Sequence, residues 1–213
     1  MKFSMAFVLL MSSAIALRGQ IDEPAGALTI YTRFAHPPST QSIGYMKTEL
    51  DAIMLPFNLR FDWRSLEHVS GHDVVAEIVV VSFKGVCQVD TLVHWDRSAR
   101  TLGSIHIADG QILPFADVDC DKIRELMALP LAAACPPERA HLLGRAMARV
   151  LAHELYHFLA HTTKHASTGI AKASYTGNEL ASGFFRFDEA QLRSVREKDR
   201  ERSSAAAPSG AGL

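Results

Sequence analysis

The chain is short of several things, and each shortage narrows what it can do. It has three cysteines, Cys87, Cys120 and Cys135, and no C-x-x-C pair, which argues against a cysteine-built zinc site. It has no excess of one charge. Twenty-two Lys and Arg against 23 Asp and Glu leave a formal net charge of −1, so there is no electrostatic case for nucleic acid or an anionic membrane as partner. Beyond the N-terminus it has no long apolar run, so no transmembrane helix is expected there. It has no internal repeat.

What is present is a globular composition, 48% apolar over 213 residues, enough for the core of one domain of ordinary size. The first residues read as a secretory signal: Lys2, then an apolar stretch from Phe3 to Leu17 with Ala14-Ile15-Ala16 as an A-x-A cleavage site. The expected organisation is a signal peptide over 1–17, one folded domain over 18–200 and a disordered Ser/Ala/Pro/Gly tail over 201–213. The expected location is secreted or periplasmic. Export permits one disulfide and leaves one thiol; the sequence does not choose between Cys87–Cys120 and Cys120–Cys135.

Residues 28–34 are β-branched and aromatic and predict a first strand. Ile43, Met46, Leu50, Ile53 and Met54 recur at helical spacing and predict an amphipathic helix over 40–54, closed by Pro56. Short extended runs follow at 59–63 and 92–95. The almost continuous apolar run 74–83 predicts a strand buried on both faces. Gly103 to Ala108 alternates polar with apolar, as an edge strand does, and Asp109-Gly110 marks a tight turn before another short strand over 112–118. A helix is expected over 121–129, then a loop bounded by Pro130, Pro136 and Pro137. Thr176-Gly177-Asn178-Glu179 is a capping box, with a helix or two running to about residue 200. The opening order of strand, helix, strand, strand is that of an α/β (α+β) fold.

Between Pro137 and His161 lies the most informative stretch. Leu143, Met147, Leu151, Leu155, Phe158 and Leu159 form one helical stripe, and His153-Glu154-Leu155-Tyr156-His157 fits H-E-x-x-H. Residues four apart share a helix face one turn apart, so His153 and His157 can converge on one ion. Glu154 stands beside that ion and off it, where it can act as general base toward a metal-activated water. A catalytic zinc takes a third protein ligand. His165 is the expected one, because Thr162 and Thr163 can end the helix and let the chain fold back. Glu179 and His161 are the alternatives, although Glu179 is explained by its capping box and His161 would lie about 6 Å beyond His157 along a continued helix. Tyr175 and Lys172 follow His165 and are candidates for oxyanion contacts or for ordinary structural roles.

The segment HELYHFLAHTTKHASTGIAK resembles the active site of metzincin-type metallopeptidases. The match covers five residues closely and about 140 loosely, through the order of strands before the helix. Ala160 stands where the family has a helix-ending Gly, Thr163 where it has the third His, and no Met occupies the expected turn around Gly169 to Lys172. The resemblance implies a zincin-like fold, a mixed twisted sheet with an edge strand over the active-site helix and C-terminal helices beyond it. It also implies that the edge strand, here Gly103, Ser104, Ile105 and His106, holds a peptide in extended form. The expected function is therefore a secreted zinc metallopeptidase, an endopeptidase rather than an exopeptidase. Zn2+ is its expected cofactor and a peptide or protein its expected substrate. The alternatives are a non-catalytic zinc-binding protein on the same scaffold and a zinc hydrolase of a non-peptide amide.

Overall fold

The computed structural model of the protein describes residues 26–69, 75, 77–89 and 101–206. The expected signal peptide, the extended run 92–95 and residues 207–213 of the expected tail lie outside the described residues. So does the tail's separation from the domain, apart from one correction. The last helix extends to Ala206, so residues 201–206 are helical rather than tail.

Five strands and six helices follow in order: β1 (Gly26–His36), α1 (Thr40–Met54), β2 (Leu59–Ser65), β3 (Glu77–Val86), β4 (Gly103–Ala108), β5 (Gln111–Asp119), α2 (Cys120–Leu126), α3 (Ala128–Ala133), α4 (Pro136–Ala160), α5 (Gly177–Ala181) and α6 (Glu189–Ala206). Short 3-10 turns at 55–57 and 66–68 flank β2. The sheet order is β2-β1-β3-β5-β4. The first four strands in that order run parallel, and β4 joins antiparallel at one edge through the Asp109-Gly110 turn. Both turn residues have positive φ, the conformation that a two-residue hairpin loop matched to strand twist requires.

The helices form because the apolar residues fall on one side and their ends are capped. Ser39 accepts a hydrogen bond from the Ser42 amide at the start of α1, and Met46, Leu50, Ile53 and Met54 bury themselves on the face turned to α4. Helix α4 is the axis of the molecule. It contacts α1, β4, β5, α5 and α6, which is why nearly every residue from Leu142 onward is buried. Leu143, Met147, Leu151 and Leu155 are completely enclosed, each contributing about 1.5–3 kcal/mol of apolar transfer free energy.

Three expectations about the elements are corrected. Strand β3 is fully buried on one face only, at Val79, Val81 and Phe83, while Ile78 and Val80 are half-covered. The helix expected over 121–129 is broken into α2 and α3, with Met127 between them. Pro130 lies inside α3 rather than in a loop, at the third position of the helix, where no intrahelical partner waits for its missing N–H. Of the two disulfide pairings, Cys87–Cys120 is the one formed. It ties the end of β3 to the first residue of α2 and leaves Cys135 free and exposed.

Candidate metal centre

Helix α4 presents His153 and His157 one turn apart, as their spacing requires, and both are buried. Their Nε2 atoms are 3.0 Å apart. The other ring nitrogen of each is engaged by the backbone: Nδ1 of His157 lies 2.7 Å from the carbonyl oxygen of Thr162, and Nδ1 of His153 lies 2.8 Å from that of Ile170. A carbonyl can only accept, so each Nδ1 carries the proton and donates it. Both Nε2 atoms are then bare lone pairs facing each other. Burial, the larger influence, pushes the His153 pKa down to about 4 against the Ile170 hydrogen bond, and it lowers that of His157 as well. At neutral pH neither ring supplies a proton to the gap between them. Two unprotonated nitrogens at this distance suit a shared cation. Nitrogens bound to one tetrahedral zinc are about 3.3 Å apart by the usual bond lengths.

The chain supplies the third nitrogen by ending α4 sharply. His161 adopts the left-handed conformation at the helix terminus, with φ 46° and ψ 47°, the conformation in which helices most often end on a Gly. Beyond that turn the chain folds back and brings His165 to the two helical His. The ring of His165 stacks on that of His153 at 5.2 Å between centroids and meets that of His157 edge-on at 4.9 Å. One ligand atom from each of His153, His157 and His165 lies within 4.8 Å of the others, so the three could hold a metal ion. His161 and Glu179 are outside this group. The ring of His161 stacks on Phe158. The Glu179 carboxylate receives the amide and hydroxyl of Thr176, completing the expected capping box, and the ammonium of Lys172.

Glu154 is 4% exposed and lines the same cleft as the three His. Burial, helped by the charge of Asp117, pushes its pKa up to about 8. A divalent cation beside the carboxylate acts in the opposite sense and favours its ionised form. Where β4 begins, a Cβ on Gly103 would fall 2.7 Å from Glu154 Oε1, 2.8 Å from Val150 Cγ1 and 3.0 Å from the Asp117 carbonyl oxygen. The edge strand can lie this close to the carboxylate only because residue 103 has no side chain.

The cleft has a volume of about 1110 Å³. Gly103, Ser104, Ile105 and Ile107 form one wall and α2–α3, with Leu126 and Leu129, another. His106 is not in this wall. Successive strand residues point to opposite faces, and His106 pairs with Asp117 at 2.9 Å, beside the Lys84–Asp117 ion pair. The His106 ring is thus taken up by Asp117, and a contact of this residue with an extended peptide would run through its backbone. Tyr175 lines the cleft, but its hydroxyl is 2.9 Å from His153 Nδ1 and donates to the Ile170 carbonyl oxygen. Tyr175 thus braces the back of His153. Sequence reading missed the carbonyls of Thr162 and Ile170, because backbone acceptors leave no residue signature, and it missed the closeness of Gly103 to Glu154.

No protein-family model matches the chain, and no curated protein matches it either. No helix of the described residues is long and apolar enough to cross a membrane.

Proposed function

We propose that the protein is a secreted zinc metallopeptidase that cleaves peptide bonds within extended segments. The observation that carries the reading is the convergence of His153, His157 and His165, with the two helical imidazoles fixed as Nδ1–H tautomers, in a cleft that Glu154 also lines. The three imidazoles are a neutral nitrogen donor set, the kind that zinc accepts while keeping a position open. Zinc held there supplies Lewis acidity toward a substrate carbonyl and makes water more acidic.

The chain's own residues do the rest. Glu154 takes a proton from the attacking water onto its carboxylate. It then gives that proton to the nitrogen of the leaving amine as the C–N bond breaks, so one carboxyl group serves as base and then as acid. β4 pairs with β5 alone among the described residues, so its other edge offers free N–H and C=O groups to an extended peptide. Leu102, Ile105, Ile107, Leu126, Leu129 and Val150 make the cleft largely apolar, which suits an apolar substrate side chain near the bond cut. Tyr175 and the carbonyls of Ile170 and Thr162 hold the imidazoles in orientation.

The purified protein should contain about one equivalent of zinc and cleave casein or a peptide library. A chelator should abolish cleavage and added zinc restore it. Zinc without cleavage would favour the non-catalytic binding protein, and neither zinc nor cleavage would overturn the proposal.

A further inference from the structure

The third imidazole has no hydrogen bond of its own among the described residues, so its position depends on the loop that carries it. That loop, residues 165–170, has a metal-site function at each end: His165 supplies a ring at one, and the Ile170 carbonyl orients His153 at the other. One internal tie closes it, from the Ala166 amide to the Ala171 carbonyl oxygen at 2.8 Å. Its middle is held from outside, by the start of α6. Gln191 is only 2% exposed. Its side-chain amide donates to the Thr168 carbonyl oxygen at 2.7 Å and to Asp188 Oδ2 at 3.0 Å. Its side-chain oxygen accepts from the Asp188 amide at 3.2 Å, while Asp188 Oδ1 accepts from the Gln191 amide at 2.9 Å. This reciprocal pair caps α6 and locks the glutamine rotamer. Asp188 also accepts from the Thr168 hydroxyl at 2.9 Å. Next to Thr168, Gly169 has φ +67°, and a Cβ there would fall 2.7 Å from Gln191 Oε1.

A helix cap needs only the oxygen of Gln191. The burial of the whole side chain, with its amide aimed at the crown of the metal-site loop, goes beyond capping. We propose that Gln191 is a positioning residue for the metal centre: α6 uses its side-chain amide, through the Thr168 carbonyl, to set His165 and the Ile170 carbonyl in register with His153 and His157. The C-terminal helix is thereby part of the site, although it contributes nothing to the cleft. This rests on the reading of the three His as a metal site.

The test is zinc affinity, measured by competition with a chromophoric chelator on the full chain, together with the visible absorption of the Co2+-loaded protein and thermal unfolding of the metal-free form. Gln191→Met keeps length and helix propensity and removes the amide. Its zinc affinity should fall about 10- to 100-fold, the range for loss of an outer partner of a metal ligand, with an altered Co2+ spectrum. Leu50→Ala, in α1 and distant from the loop, should lower the unfolding temperature and leave zinc affinity within about twofold. If Gln191→Met does not fold, Thr168→Val removes only the outer hydroxyl tie and should weaken zinc binding about fivefold, the worth of one ordinary hydrogen bond. Wild-type affinity in Gln191→Met, or in Thr168→Val where that replaces it, would overturn the inference, as would equal losses in Gln191→Met and Leu50→Ala. A wild-type protein that takes up no zinc would instead overturn the metal reading, and this inference with it.

Discussion

Replacing Arg149 by Met should be among the most damaging single changes outside the candidate metal site. Arg149 lies one turn before His153 and is 1% exposed. Its guanidinium donates from Nε to Glu49 Oε1 at 2.8 Å and from Nη1 to the carbonyl oxygens of Glu179 and Leu180 at 2.8 and 3.1 Å. Nη2 lies 2.7 Å from Glu49 Oε1, and the group stacks on the Phe185 ring at 4.7 Å. Burial lowers its pKa against the pull of Glu49, and the group stays charged because an arginine does not deprotonate in proteins. Arg149 therefore fastens α1 and α5 to α4 at once. Met fills part of the volume and takes the guanidinium donor from the Leu180 carbonyl oxygen, at about 1–3 kcal/mol, while the Glu179 carbonyl oxygen keeps the Ser182 hydroxyl at 2.9 Å. Loss of the ion pair adds less than a fully enclosed pair would, because Glu49 is 20% exposed and keeps Arg145 at 3.6 Å. The sum is about 3–4 kcal/mol, within the range for breaking a buried pair from one side. For a domain of this size the unfolding temperature should fall by roughly 6–15 °C. Arg149→Lys should recover less than half, since an ammonium cannot reach carboxylate and carbonyls as a fork does. Thermal and urea unfolding of the metal-free protein measure this. A shift under about 2 °C would refute the view that Arg149 holds the three helices together.

Gly103→Ala should retain zinc and lose about 100-fold in hydrolysis, because displacing a reacting group by about an ångström costs that much; full activity would show that Glu154 tolerates a side chain 2.7 Å away. His161→Gly should stabilise the protein by about 1 kcal/mol, since the position is left-handed, and keep zinc. Loss of zinc from that variant would make His161 a ligand. Lys172, then the Thr176 amide, hold the Glu179 carboxyl below its ordinary value of 4.5. The stability this adds is present above that value and disappears as pH falls through the lower folded one. Acid titration of unfolding should therefore be less steep for Glu179→Gln than for wild type, and parallel curves would count against the capping-box ion pair.

The parts legible in the sequence were those with a periodic or spaced signature. The stripe from Leu143 to Leu159 located α4, and the alternation at Gly103 to Ala108 together with Asp109-Gly110 located the edge hairpin. Thr176 and Glu179 revealed their capping box, and the threonines before His165 indicated the fold-back that brings it to His153 and His157. What was lost depended on neighbours in space. Pro130 read as a breaker because its place in a first turn depends on where α3 begins. The pairing of the His106 ring with Asp117 was not legible because one alternating strand does not say which residue stands opposite it. The ties from Thr162, Ile170 and Gln191 join atoms 5, 17 and 23 positions apart in the chain, all three through backbone carbonyls and two of them with His rings. Asp188 and Gln191 do carry a capping pattern, but nothing in it shows that the same glutamine reaches the metal-site loop.

The central claim is that Glu154 works as the base of a zinc peptidase, and Glu154→Gln tests it most directly. The variant keeps the three imidazoles and nearly the same shape, so it should bind zinc with an affinity within a few-fold of wild type. It should cleave casein or a peptide library at least about 1000-fold more slowly, since the group that moves the proton is gone. Unchanged cleavage by zinc-loaded Glu154→Gln would contradict the account.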